Sequence, residues 1–146
     1  TWFAHDADPR RMKDLPARAE RAGCTVSCLS TSETVAQAPY DLVLCDVPCS
    51  GSGTWRRAPE AKWRLTPERL AELTGLQAAI LSEAATLVRP GGVLAYTTCS
   101  VLACENADVI AEFLANSEGW ALEFDRSWPI SDDGDGFYLA HLRKPA

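Results

Sequence analysis

The sequence predicts an α/β domain built on a parallel sheet, and three observations carry that prediction. Strand-like and helix-like segments alternate through most of the 146 residues. Asp41-Leu42-Val43-Leu44-Cys45-Asp46-Val47 is a continuous apolar run bounded by carboxylates, the pattern of a strand buried on both faces. Leu70, Leu73, Leu76, Ile80, Leu81, Ala84, Leu87 and Val88 then recur at helical spacing.

Each element can be justified in order. Residues 2–5 read as a short strand. Asp8 caps a helix with Pro9 at its first position. Residues 10–22, charged and Ala-rich with Met12 and Leu15 on one apolar side, form that helix, kinked at Pro16 and closed by Gly23. Residues 24–29 read as a second strand and residues 30–39 as a polar loop with room for a helical turn. The apolar strand from Asp41 stops at Pro48, and Gly51 and Gly53 open a loop that runs to Leu65. Thr66-Pro67-Glu68 starts a long helix by the same cap-then-proline logic, and Arg89-Pro90-Gly91-Gly92 ends it. Residues 93–98 are another buried strand and residues 105–115 an amphipathic helix. Residues 120–124 and 137–142 are final strands, separated by the acidic loop Asp132-Asp133-Gly134-Asp135-Gly136. With no internal repeat or low-complexity segment, residues 1–146 are read as one domain.

Composition narrows the function classes. With 47% hydrophobic residues and five Trp, the chain can offset its ordering entropy, which excludes a disordered segment. No apolar run approaches the roughly 18–20 residues of a membrane span. Residues 1–6 lack the basic start and apolar stretch of a secretory signal, so reduced thiols in a cytoplasmic setting are expected. The net charge of −6 argues against binding nucleic acid with the whole surface. The charge is uneven, however. Arg56, Arg57, Lys62, Arg64 and Arg69 face only Glu60 and Glu68 in the same stretch, a local basic patch on an acidic body. The six cysteines form no C-x-x-C pair, and His5 and His141 lie near opposite ends, so no metal site is predicted.

Ligands of parallel sheets sit beyond the carboxyl ends of the strands, and two such ends stand out: Asp46-Val47-Pro48-Cys49 and Thr97-Thr98-Cys99-Ser100. An isolated cysteine is usually a small apolar filler. Cys24, Cys28 and Cys45, which fall within predicted strands, and Cys104, near a helix start, are read that way. Cys49 and Cys99 instead occupy loop-forming strand ends followed by Ser. A thiolate there is a strong nucleophile if a neighbour stabilises it, and a carboxyl group such as that of Asp46 can meet charge developing on a substrate.

Asp46-Val47-Pro48-Cys49-Ser50-Gly51-Ser52-Gly53-Thr54 resembles the D-x-P-C-S-G-x-G motif of the Sun-type (Fmu-like, NSUN-like) RNA cytosine-5 methyltransferases. Thr97-Thr98-Cys99-Ser100-Val101 is similar to their T-C-S motif, and Glu105-Asn106 to the E-N that follows it. Arg57-x-Pro59-x-x-Lys62-Trp63 matches R-x-P-D-x-K-W, and Asp135-Gly136-Phe137-Tyr138 matches D-G-F-F/Y. Several motifs in the right order over nearly the whole chain make the resemblance specific.

The resemblance implies a Rossmann-like class I S-adenosylmethionine-dependent methyltransferase sheet. It implies Cys99 as the nucleophile at cytosine C6, Asp46 against the N3 edge, and Cys49 in product release. Asp6, at the end of the first strand, would meet the cofactor ribose, with Asp8 as the competing residue and Asp46 and Pro48 also at the cofactor. Arg56, Arg57 and Lys62 would position phosphates of an RNA, ribosomal in the first instance, and Trp63 or Trp55 would stack on an extruded base. Two departures stand beside these matches. Leu29-Ser30-Thr31-Ser32 replaces the family's G-D-G-x segment at the adenine. The A-x-P-G-G-K cofactor loop has no counterpart, because Arg89-Pro90-Gly91-Gly92-Val93 follows a helix and precedes a strand, the reverse of what a cofactor loop needs. The expectation is therefore a partial catalytic domain, lacking its first strand, glycine-rich loop and RNA-binding region and inactive alone, with exposed sheet edges that favour self-association. Two other readings compete. One is an exocyclic-amine methyltransferase, which would carry [N/D]-P-P-[Y/F] in place of Asp46-Val47-Pro48-Cys49. The other is a non-catalytic RNA- or partner-binding module.

Overall fold

A computed structural model describes residues 1–146 as two compact units, Thr1–Pro39 and Tyr40–Ala146. The first unit contains β1 (Trp2–Ala4), a 3-10 turn (Pro9–Met12), α1 (Leu15–Arg21), β2 (Val26–Cys28) and α2 (Thr31–Ala36). β1 and β2 run parallel, with Trp2 opposite Val26 and Ala4 opposite Cys28. Asp8 does cap as predicted: its carboxylate accepts the Arg10 amide at 3.1 Å ahead of Pro9. The single kinked helix over residues 10–22 does not form. Pro16 lies in the first turn of α1, where its missing N–H leaves no bond unmade, so the chain breaks before it rather than bending around it. The helical turn allowed for within residues 30–39 is α2, started by a capping box. The Ser30 hydroxyl accepts the Glu33 amide at 3.3 Å, and the Glu33 carboxylate accepts the Ser30 amide at 2.8 Å.

The second unit contains β3 (Tyr40–Asp46), α3 (Glu60–Arg64), α4 (Pro67–Leu87), β4 (Val88–Thr98), α5 (Ala107–Asn116), β5 (Ala121–Trp128) and β6 (Phe137–Arg143). Its sheet has the order β3-β4-β6-β5. β3 and β4 are parallel, with Asp46 opposite Thr97, whereas β6 is antiparallel to both β4 and β5. The sheet is thus mixed, not wholly parallel as the alternation of elements suggested. Residues 129–136, between β5 and β6, contain no crossover helix, and so short a connection can only join antiparallel neighbours.

The core is one cluster in which Leu81 and Ala84 of α4 and Val109, Ile110 and Phe113 of α5 meet Leu94 and Tyr96 of β4 and Tyr138, Ala140 and Leu142 of β6. Burying side chains of this size supplies about 1.5–3 kcal/mol each. The helix side chains meet one face of the sheet only. β3 is consequently not buried on both faces: Cys45 and Val47 join the core, but Leu42 is 50% exposed and Leu44 59% exposed. Arg89–Gly92 also behaves differently from the predicted stop. It lies within β4 as a bulge, because Tyr40 pairs with Val88 and Leu42 with Val93. Gly91 takes φ 66°, and a Cβ on Gly92 would come within 2.7 Å of Val88 Cγ1 and 3.0 Å of the Asp41 carbonyl. The end of α4 is closed by Lys144, whose ammonium donates to the carbonyls of Ala85 at 3.0 Å and Val88 at 2.7 Å.

Candidate active site

Cys49 follows β3 and Cys99 follows β4. Because these strands are parallel neighbours, their carboxyl ends bring the two predicted cysteines together, with Sγ atoms 3.4 Å apart. The loops beyond them are tied backbone to backbone. The Gly53 amide donates to the Cys99 carbonyl at 2.9 Å, and the Gly136 amide donates to the Gly53 carbonyl at 2.9 Å. A Cβ on Gly53 would collide with the Gly136 carbonyl oxygen and stand 2.8 Å from the Cys99 oxygen, so only glycine fits. This contact accounts for Gly53, and Gly51 is accounted for by its φ of 67° instead.

Beneath the cysteines lies a buried polar network. Glu105, just before α5, is fully buried, and its carboxylate accepts the Ser50 amide at 2.7 Å, the Ser50 hydroxyl at 2.5 Å, the Ser100 hydroxyl at 2.5 Å and Gln77 Nε2 at 3.1 Å. Gln77, fully buried on α4, also donates to the Pro48 carbonyl at 2.9 Å. The Ser52 and Ser100 hydroxyls are 2.9 Å apart, and Asn106 Nδ2 donates to the Ser100 carbonyl at 3.0 Å. A buried charge needs this degree of satisfaction to be tolerated.

The pair of thiols is polarised. The hydrogen bond from the Cys49 thiol lowers Cys99 to about 7, against burial and the charges of Asp46 and Glu105, which push the other way. The same contact, with burial, pushes Cys49 far up, so Cys49 is the protonated partner. Cys45 is a core filler, its thiol pushed up to about 12 by burial. Asp46 ends β3 with its side chain exposed, and Pro48 is exposed two residues on. All six cysteines are free thiols, and no group of three or more His, Cys, Asp and Glu is placed to hold a metal ion. Cys24 precedes β2 rather than lying within it, and both Cys24 and Cys28 are exposed.

The basic loop divides. Arg57 pairs with Asp135 at 2.5 Å, while Arg56 lies 3.9 Å from Asp135 and donates to the carbonyls of Ser131 at 3.2 Å and Asp132 at 3.1 Å. These two guanidinium groups fasten the loop to the acidic segment before β6, where the Asp135 carboxylate offsets one of its positive charges. Lys62, Trp63 and Arg64 remain outward, with Trp63 81% exposed and the Lys62 ammonium 5.5 Å from its ring centre. Trp55 is half-buried, its Nε1 enclosed without a partner.

In the first unit, Asp6 follows β1. One of its oxygens accepts the Asp8 amide at 2.8 Å and the other lies 3.5 Å from Arg11, which orients the carboxylate and leaves it acceptor capacity. After β2, the Ser30 and Glu33 side chains are engaged with each other and Thr31 is 2.9 Å from His5 Nε2.

Sequence reasoning assigned no role to Glu105, Gln77, Ser50 or Ser100. Signals existed: a serine follows Cys49 and Cys99 and none of the other four cysteines, and Gln77 stands four residues from both Leu73 and Leu81 on the buried side of α4.

Comparison with known proteins adds the family. Residues 1–143 match the family model described as 16S rRNA methyltransferase RsmB/F. A probable ribosomal RNA small subunit methyltransferase B from Synechocystis sp. is 34% identical over 97% of this chain and 37% of its own length. Ribosomal RNA small subunit methyltransferase B from Salmonella newport is 34% identical over 97% of this chain and 36% of its own. The chain thus spans little more than a third of the length of these curated relatives. Among solved structures, PH0851 superposes with a TM-score of 0.83 at 36% identity, covering 97% of this chain and 36% of that one. NSun6 from Pyrococcus horikoshii, solved with SFG, superposes with a TM-score of 0.82 at 23% identity, covering 99% of this chain and 41% of that one, a likeness of fold.

Proposed function

The chain belongs to the RsmB/F family of 16S rRNA methyltransferases, and from that membership we propose that it carries the reacting cysteines of an enzyme that methylates cytosine C5 in ribosomal RNA. In this reading its two units contribute part of the catalytic domain. The observation that carries the reading is the 3.4 Å approach of Cys49 and Cys99, with Cys99 held toward the thiolate and Cys49 protonated.

Cytosine C5 is a poor nucleophile until a thiolate adds at C6. The Cys99 sulfur forms a bond to C6, and the displaced electron pair moves onto the ring, making C5 enamine-like and placing negative charge toward N3. Asp46, at the adjacent strand end, delivers a proton to N3 as that charge develops and takes it back when the thiolate is expelled. S-adenosylmethionine supplies the methyl group when bound. The C5 proton then leaves to a base, its electron pair re-forms the C5–C6 double bond, and the C6–S bond breaks to expel the Cys99 thiolate, with Cys49 as its proton-bearing neighbour.

The residues present fit the cofactor in part. In the first unit Asp6 offers an oriented carboxylate for ribose hydroxyls; in the second, Asp46 ends β3 and Pro48 follows it, both exposed. The segment after β2 offers no acid for the adenine amine. Lys62 and Trp63 are the outward groups for a phosphate and a stacked base, with Arg56 and Arg57 contributing the donors that Asp135 leaves free. No helix is long and apolar enough to cross a membrane, and a ribosomal RNA substrate would be met in the cytoplasm.

The test uses the full-length protein carrying this chain, S-adenosylmethionine and RNA containing 5-fluorocytosine, whose C5–F bond cannot release a cation and so traps the adduct. A denaturation-resistant protein–RNA complex is expected, lost in Cys99→Ala. With ordinary RNA, Cys49→Ala should accumulate that complex. An adduct that survives Cys99→Ala and disappears in Cys49→Ala would assign the nucleophile to the other cysteine.

A further inference from the structure

The fully buried carboxylate of Glu105 lies outside the chemistry above, touching neither thiol, yet it holds both cysteine loops. From the loop after β3 it takes the Ser50 amide and hydroxyl at 2.7 and 2.5 Å, and from the loop after β4 the Ser100 hydroxyl at 2.5 Å. Each donor is the residue that follows a cysteine. Gln77 Nε2, from α4, donates to the same carboxylate at 3.1 Å and to the Pro48 carbonyl at 2.9 Å, so the residue preceding Cys49 is held as well. The Tyr96 hydroxyl donates to the Glu105 carbonyl at 2.6 Å and fixes the backbone from the sheet side. No cation contacts Glu105, so its charge is met by oriented dipoles alone.

We propose that Glu105 is a positioning residue: its carboxylate clamps Ser50 and Ser100 and thereby sets the approach of the Cys49 and Cys99 thiols on which the reaction depends. A glutamine keeps one acceptor oxygen and turns an NH2 toward the other pair of contacts; the Ser50 and Ser100 hydroxyls, which already accept the Ser52 and Leu102 amides, would have to reorient to meet it, and the clamp slackens. The importance of this clamp for catalysis rests on the proposed function above, whereas the clamp itself is read from the thiols without RNA or cofactor.

The experiment is alkylation of the protein by iodoacetamide across a pH series, with each cysteine followed by peptide-resolved mass spectrometry and exposed Cys24 as the reference. Two effects of Glu105→Gln have opposite signs. Removing a negative charge near Cys99 would lower its midpoint. Slackening the loops breaks the thiol–thiolate hydrogen bond and raises it. The expected result is a rise from about 7 toward the roughly 8.5 of a free cysteine, with the Cys99 rate at neutral pH falling about tenfold and Cys24 unchanged. Ser50→Ala removes one donor and leaves the Ser50 amide in place. It should shift Cys99 in the same direction by less, and it keeps the test open if Glu105→Gln does not fold. A folded variant of either kind whose Cys99 midpoint stays at or below the wild-type value overturns the proposal. Loss of the RNA adduct in wild type, with the alkylation shifts intact, would overturn the assigned reaction and leave the clamp standing.

Discussion

A thiol becomes a usable nucleophile near neutral pH only where a donor stabilises its anion, and at Cys99 that donor is a second thiol 3.4 Å away. Geometry and charge oppose each other there. Burial and the carboxylates of Asp46 and Glu105 favour the neutral form, and the Cys49 hydrogen bond outweighs them to leave Cys99 at about 7. Because the folded value is lowered, the reactive anion is depleted below about pH 7 and predominates above it. Alkylation of Cys99 should therefore climb through about pH 7 and level off. Cys49→Ala removes the leading stabilising contact, so its midpoint should move upward; iodoacetamide rates by mass spectrometry check both. An unshifted midpoint in Cys49→Ala would mean that backbone dipoles, not the neighbouring thiol, stabilise Cys99.

The loops at the strand ends are held by close backbone approach, and the strands themselves by one-sided burial. Gly53 sits between the Cys99 and Gly136 carbonyls with no room for a methyl group. Gly53→Ala should lower stability by about 2–3 kcal/mol through overpacking, read as a fall in the urea midpoint. Gly75, inside α4, behaves oppositely, because a methyl group there would meet nothing within 4 Å. Gly75→Ala should raise stability by about 0.5–1 kcal/mol, because alanine restricts the unfolded chain and favours the helix. Equal effects at the two positions would show that the loops tolerate expansion. The basic loop follows the same logic of local fastening: Arg56 and Arg57 are turned onto the segment before β6, and only Lys62, Trp63 and Arg64 face outward.

At the scale of the molecule, the four-stranded sheet has helices packed on one face and leaves the other open. Leu42, Leu44, Ala95, Thr97, Phe137 and Leu139 line a shallow trough on that open face. β3 lies at the sheet edge, with β4 on one side and no strand on the other. An apolar face beside an unpaired strand edge favours association. The chain should therefore self-associate with rising concentration, followed by sedimentation velocity. Leu44→Lys, which places a charge on the edge strand, should shift it toward the monomer. A strict monomer at all concentrations, unaffected by Leu44→Lys, would show that the face remains solvated.

Much of this protein was legible in its residues because local chemistry determines it. Asp8-Pro9 and Thr66-Pro67 mark helix starts that the structure keeps, since a cap and a proline act within one turn. The cysteine motifs placed Cys49 and Cys99 at strand ends by themselves. Ser30-x-x-Glu33 carried its capping box in plain view, although the segment reads as a loop by polarity. What the tertiary structure alone decided depends on neighbours far away in sequence. An apolar run such as 42–47 cannot distinguish a strand covered on both faces from an edge strand covered on one. The direction of β6 is set by what connects it to β5, and the pairing of Arg56 and Arg57 with Asp135 by a loop some 75 residues away. Glu105 is the clearest case. The sequence reads it only as the first residue of a helix and part of an E-N match, and only the convergence of Ser50, Gln77 and Ser100 shows it as a fully hydrogen-bonded buried carboxylate. A sequence specifies which groups can donate and accept; the fold brings them within hydrogen-bonding reach, and at that distance their chemistry begins.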